Sequence, residues 1–212
     1  MKDTVYKTIR KRILYLEYQP GQILNEKILA EEFGVSRSPI KDILNRLEWE
    51  QFIRVIPRTG SMITEVEFSR IMNIYQVRFE IESFEASLAE SQFSSKHCNQ
   101  LKDLLHACNN LFDKKDPKAL TKIDISLRDI IHDSAGNPVL ADVSDKLYAQ
   151  TFRLWYSVLS KGGWQEEVTS VKTEVKKIIE WSSSGKPNGL VKIRKTQLLN
   201  HFDRLSRKFL GT

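Results

Sequence analysis

Cysteine is scarce in this chain. The two present, Cys98 and Cys108, lie outside any C-x-x-C pattern. Neither a disulfide framework nor a thiolate metal knuckle is therefore expected, and both read as reduced thiols. Long apolar runs are missing too: nothing approaches the roughly 20 residues a membrane span requires. The start, Met1-Lys2-Asp3, has no signal-peptide core, so a cytoplasmic protein without a membrane partner is expected. There is no internal repeat, no low-complexity tract, no phosphate-cradling glycine loop and no nucleophile–base pair. An enzyme is not expected.

A concentration of positive charge at the N-terminal end is also lacking. The net charge is +6, yet residues 1–67 carry 11 Lys/Arg against 10 Asp/Glu, and residues 68–212 carry 22 against 17. The overall basicity therefore does not point to nucleic acid, and only local placement can.

Apolar periodicity organises the first 66 residues. Val5, Ile9, Ile13 and Leu16 recur at helical spacing until Pro20-Gly21 ends the run. Asn25 caps a second helix, Glu26 to Phe33, with Ile28, Leu29 and Phe33 as its apolar face, and Gly34 suits the left-handed residue that ends a helix. A third helix begins between Ser36 and Pro39, with Ser38 as the expected cap and Ile40, Ile43, Leu44 and Leu47 facing inward. The β-prone runs Phe52–Ile56 and Ser61–Thr64 flank Pro57-Arg58-Thr59-Gly60 and predict a hairpin. Three short helices followed by a hairpin make a winged helix–turn–helix.

On the third helix Arg37, Lys41 and Asn45 repeat every four residues, opposite the apolar stripe. Two cations and an amide on one face suit phosphates and base edges in a major groove. Arg58, at the hairpin tip, is within reach of an adjacent minor groove or phosphate, with Gly60 letting the backbone turn. The charge spacing alone fits a solvated helix face equally well; the whole ordered set does not.

Pro20-Gly21 and the run Leu24–Leu44, containing Leu29-Ala30 and Gly34-Val35-Ser36-Arg37-Ser38-Pro39-Ile40-Lys41-Asp42, resemble the signature of GntR-family regulators. The resemblance implies DNA contacts from Lys27, Ser36, Arg37, Ser38 and Lys41, and from the wing residues Arg58, Thr59 and Gly60. Lys27 otherwise reads as a surface residue. The chain departs from the pattern with Lys41 where Arg is commonest, and with Gln51 where Gly usually follows the recognition helix.

From residue 67 to 212 the pattern is helical. Breaks at Ser94-Ser95, Asp116-Pro117, Gly136-Asn137-Pro138, Gly162-Gly163 and Gly185 to Gly189 delimit six helices of an all-α antiparallel bundle. The first is expected to bury Ile71, Ile74, Ile81 and Leu88, the last Leu190, Ile193, Leu198, Phe202 and Phe209. Arg78 and Glu82, with Asp124, Leu127 and Gly136-Asn137-Pro138, resemble motifs of the FCD effector-binding domain of the FadR-type branch. The expected architecture is therefore a DNA-binding domain over 1–66 and a dimerising, effector-binding domain over 67–212.

Many FCD domains hold a divalent metal through one Asp and three His. Carried over residue by residue, those ligands fall on Asp124, Arg128, Val175 and Gln197, with His201 one turn beyond the last. Arg stays protonated and Val has no lone pair, so no metal or other cofactor is expected. Arg78 and Arg128 are instead read as anchors for a small anionic effector, in a site with Asp124 and Gln197. A local Asp124–Arg128 ion pair without a ligand stays open. The histidines His97, His106, His132 and His201 show no ligand spacing, and Trp49, Trp155, Trp164 and Trp181 read as core or interface. The function expected is an effector-controlled homodimeric repressor or activator on a palindromic operator, the alternative being a constitutive DNA binder whose helical domain only dimerises.

Overall fold

The computed structural model describes residues 2–159 and 161–211. Its elements run α1 (Lys2–Leu14), β1 (Ile23–Leu24), α2 (Glu26–Phe33), α3 (Arg37–Trp49), β2 (Ile53–Ile56), β3 (Gly60–Ile63), α4 (Phe68–Gln92), α5 (Ser95–Asn109), α6 (Pro117–Ala135), α7 (Pro138–Leu159), α8 (Trp164–Ser184) and α9 (Gly189–Leu210). The chain forms two compact units, one of Met1–Met72 with Ala149–Tyr156, the other of Asn73–Tyr148 with Ser157–Thr212.

The first unit is a winged helix–turn–helix. Val5, Ile9 and Ile13 of α1 meet Leu29 of α2, Ile40, Ile43, Leu44 and Leu47 of α3, and Phe52, Ile53 and Ile63 around the hairpin in one core. The Asn25 side chain accepts from the Lys27 and Ile28 amides, and Gly34 takes the left-handed conformation, φ 62°, that closes α2. The third helix is capped differently from expectation. Ser36, not Ser38, is its N-cap, and makes no side-chain cap bond.

The wing is a three-stranded antiparallel sheet, order β1-β3-β2, not a bare hairpin. Two residues, Ile23 and Leu24, pair with Met62 and Ser61; a strand so short leaves no alternation to read. This third strand changes the role of Gly60. A Cβ there would sit 2.9 Å from the Leu24 carbonyl oxygen, so glycine serves the close approach of β3 to β1, at φ 134°. The turn itself falls on Pro57 and Arg58, with the Thr59 amide donating to the Ile56 carbonyl at 3.1 Å. Arg58 adopts φ 65°, a conformation usually given to glycine at the third turn position.

Three apolar residues behave differently from their periodicity. Leu16 lies past the end of α1 at φ 55°. Ile28 on α2 is 63% exposed, and Trp49, at the end of α3, is 88% exposed while the other three tryptophans are buried. Helix α2 is too short to bury more than one stripe, and Leu29 and Ala30 form it.

In the second unit, α5 packs on α6 and α8, and α8 on α9. Its apolar core joins Ala86 and Ala89, Leu101, Leu127, Ile130 and Ile131, Val175, Ile178 and Trp181, and Leu190. Ala86 and Ala89 supply the α4 part of this core; Ile81 and Leu88 are only half-buried, and Phe209 is exposed. Short side chains on α4 allow close helix packing that hydrophobicity alone does not indicate. The two cysteines are free, and burial pushes the Cys108 thiol up to about 11.

Candidate nucleic-acid interface

Helix α3 is amphipathic: Ile40, Ile43, Leu44 and Leu47 are buried, which leaves Arg37, Ser38, Lys41 and Asn45 exposed. Neighbouring cations are largely paired within the unit. Lys2 holds Asp42 at 2.7 Å, Arg10 holds Glu50 at 3.0 Å, Arg12 pairs with Glu32, and Arg46 holds Glu50 at 3.3 Å. Lys27 has a loose contact to Glu31 at 3.9 Å. Among the described residues, Arg37, Lys41 and Arg58 have no ion-pair or hydrogen-bond partner. Uncommitted guanidinium and ammonium groups are what phosphate oxygens and guanine edges require. Ser36 is exposed with its hydroxyl outside the helix cap, at a helix N-terminus whose amides favour anions. Arg54, exposed on β2 and likewise unpartnered, was not anticipated; a short strand gave it no context.

The expected effector residues lie in a buried polar cluster of the second unit. Glu82 is its centre. It accepts from Arg78 at 2.7 Å, and faces Arg128 at 3.1 Å and Arg194 at 2.9 Å. Arg194 also pairs with Glu174, and Arg128 donates to the Ser144 hydroxyl at 2.7 Å while stacking over the Tyr148 ring at 4.3 Å. Burial raises the Glu82 pKa, but the three guanidiniums outweigh burial and hold it far below the carboxylate range. At Glu174 burial prevails over Arg194 and the pKa is raised.

Asp124 does not pair with Arg128. Its Oδ2 accepts from the Tyr148 hydroxyl at 2.7 Å, while Arg128 reaches across to Glu82, where both partners are desolvated and their attraction is stronger. Gln197 is buried on α9. With Asp124 and Glu85, whose charges also act on Arg194, four carboxyl groups face three guanidiniums. Arg194 and Glu174 escaped the sequence reading, although Arg194 lies one turn from Leu190 and Leu198 on the buried stripe of α9, the same signal that singled out Arg78.

The residues at the metal-ligand positions do not fit a metal. Arg128 is committed to Glu82, Val175 is a fully buried apolar residue, and Gln197 offers only a neutral amide. His201 is held near Arg204, 3.4 Å away, and burial pushes its pKa down to about 3. Among the described residues, no group of three or more His, Cys, Asp and Glu is placed to hold an ion.

A winged helix–turn–helix joined to an all-helical domain is the architecture of a transcriptional regulator. The "Bacterial regulatory proteins, gntR family" model matches residues 1–63, and the "FCD domain" model matches residues 73–189. The chain belongs to the GntR family of bacterial regulators, in its FCD-containing group. It is 25% identical over 156 residues to the "HTH-type transcriptional repressor RspR" of Escherichia coli, covering 74% of this chain and 68% of that protein. The "Gluconate operon transcriptional repressor" of Bacillus subtilis is 38% identical over 76 residues, 36% of this chain and 31% of that one. Among solved structures, E. coli McbR/YncC superposes with a TM-score of 0.86 at 18% identity, over 98% of both chains. A putative GntR regulator from Rhodococcus sp. RHA1 gives 0.77 at 13% identity, over 97% of both. No helix among the described residues is long and apolar enough to cross a membrane.

Proposed function

We propose that the chain is a homodimeric, sequence-specific regulator. Residues 1–66 read each half of a palindromic operator, and residues 67–212 dimerise and receive a small acidic effector. Lys27, Ser36, Arg37, Ser38 and Lys41 contact DNA from α2 and α3, and Arg58, Thr59 and Gly60 form the wing tip that follows the adjacent groove. The observation that carries this reading is the exposed face of α3, whose Arg37 and Lys41 have no partner among the described residues. A two-fold dimer presents two such helices to half-sites about one helical turn apart. The test is selection of duplexes from a random pool by the full-length protein, with its mass measured by light scattering. A two-fold symmetric consensus and a dimer mass support the reading; a monomer, or no enrichment, refutes it.

In this reading Arg78, Asp124, Arg128 and Gln197 centre the effector site, where an incoming carboxylate shares the guanidiniums with Glu82. One observation favours the constitutive alternative: the carboxyl groups of Glu82, Asp124 and Glu85, with Glu174 as a fourth, match the three guanidiniums, so no anion is needed for neutrality. Native mass spectrometry separates the two. A co-purified acid whose removal changes operator affinity supports effector control, and a ligand-free dimer with constant affinity supports the alternative.

A further inference from the structure

Arg153 belongs to none of the expected sites. It lies on α7, in the stretch Ala149–Tyr156 that is part of the DNA-binding unit. Apolar anchors fix the stretch there: Ala149 is in the unit's core, and Phe152 meets the Tyr15 ring edge-on at 5.2 Å. Gln150 accepts from Arg70 at 3.0 Å.

Between these anchors Arg153 is 5% exposed, and among the described residues no carboxylate is bonded to it, although the charge of Glu65 acts on it. Burial pushes its pKa down to about 10. A desolvated guanidinium is costly, and this one directs both its hydrogen bonds to a single neutral residue. Its Nη1 donates to the Thr64 carbonyl at 2.7 Å and its Nη2 to the Thr64 hydroxyl at 2.9 Å. The guanidinium also sits over the Phe52 ring, 5.7 Å from its centroid, with Arg10 5.5 Å from the same ring.

Thr64 closes the base of the wing. Its amide donates to the Phe52 carbonyl at 3.0 Å, and its hydroxyl donates to the Gln51 carbonyl at 2.9 Å. Gln51 is the middle residue of the three that link α3 to β2, and it adopts φ 64° without being glycine. The relay Arg153–Thr64–Gln51 thus grips the point where recognition helix and wing are joined, and holds a backbone conformation unfavourable for a side chain.

We propose that Arg153 is a positioning residue for DNA reading: it sets the angle of the wing against the recognition helix through Thr64. Strands of four residues are about 13 Å long, so a tilt of roughly 10° at the base moves Arg58 by about 2 Å, enough to break a phosphate contact. The inference rests on the proposed DNA-binding reading, and its test has one arm that needs no DNA.

That arm is hydrogen exchange over residues 51–64 of the full-length protein, in wild type, Arg153→Ala and Arg153→Lys. Faster exchange in Arg153→Ala, confined to this segment and partly restored by lysine, is expected; unchanged exchange there, or equal acceleration throughout the unit, overturns the proposal. The second arm is a double-mutant cycle with Arg58→Ala on a fluorescein-labelled duplex enriched from a random pool by the wild type. Arg153→Ala should weaken binding roughly tenfold, the worth of hydrogen bonds to a charged group, and have little effect once Arg58 is gone. Equal loss in both backgrounds means that Arg153 supports only the fold and overturns the proposal. Failure of the wild type to bind any duplex refutes the DNA-binding reading instead, leaving the exchange result to decide the role of Arg153 in the wing.

Discussion

Glu82 on α4 holds the guanidinium of Arg194 at 2.9 Å across 112 residues of sequence. Arg78 and Arg128 converge on the same carboxylate, so one buried acid serves three cations. Replacing Glu82 by Gln keeps the shape and removes the shared counter-charge. Breaking a buried ion pair from one side costs about 3–5 kcal/mol, and Glu82→Gln should lower stability by that order in urea denaturation at fixed protein concentration. Because the folded pKa of Glu82 lies below its unfolded value, this stabilisation is full above about pH 4.3 and declines as pH falls below it. A loss under about 1 kcal/mol at pH 7 would show that the cluster is not a central support of the helical unit.

His201 adds a second acid-sensitive element of the same sign. Burial holds its folded pKa near 3, with Glu167 and Arg204 acting on it in opposite directions. The unfolded imidazole takes up a proton near pH 6.5, so its contribution is full above that pH and drains as pH falls towards 3. His201→Gln should flatten the stability profile between pH 6.5 and 4.5, above the range in which unperturbed carboxylates titrate. An identical slope in wild type and variant would rule out His201 as the cause.

Arg37→Ala and Lys41→Ala should each weaken specific DNA binding and leave native mass and thermal midpoint unchanged, because both side chains are exposed and have no partner among the described residues. The loss of a bidentate base contact at Arg37 is worth about 1–3 kcal/mol and should relax specificity at one position. A phosphate contact from Lys41 would instead reduce the salt dependence by about one unit of slope. Fluorescence anisotropy over a salt series reads both effects.

Arg58 combines a left-handed backbone with a wing-tip charge. Arg58→Gly should therefore separate the two: relief of strain raises stability by up to about 1 kcal/mol, while loss of the cation weakens DNA binding. Calorimetry with anisotropy tests this directly. A lower thermal midpoint in the variant would contradict the strain argument.

Protein purified without added metal should contain no stoichiometric zinc, nickel or manganese by elemental analysis, since Arg128, Val175 and Gln197 stand at ligand positions. One metal per chain would require a rearranged donor set drawing on His201 or His132.

Local chemistry made much of this protein legible from sequence. Asn25 and Gly34 bound α2 because capping and the left-handed conformation are properties of a few neighbouring residues. The apolar stripe of α3 left its exposed polar face to be read by subtraction, and Gly, Pro and one Ser pair marked the breaks between the six later helices, since helix ends depend on short-range sterics. Tertiary structure decided what each buried charge faces. Nothing local to Arg128 says that it prefers Glu82 to Asp124, and the pairing of Arg194 with Glu82 depends on how helices pack. Strand β1 is two residues long and exists only because β3 runs beside it. Most of all, the stretch Ala149–Tyr156 lies in the middle of an unremarkable helix by sequence, and only the fold makes it part of the DNA-binding unit and puts Arg153 against Thr64. Covalent neighbours and helical periodicity are encoded within a few turns of chain; desolvated ion pairs and close backbone approaches arise where distant segments meet, and their partners are chosen there.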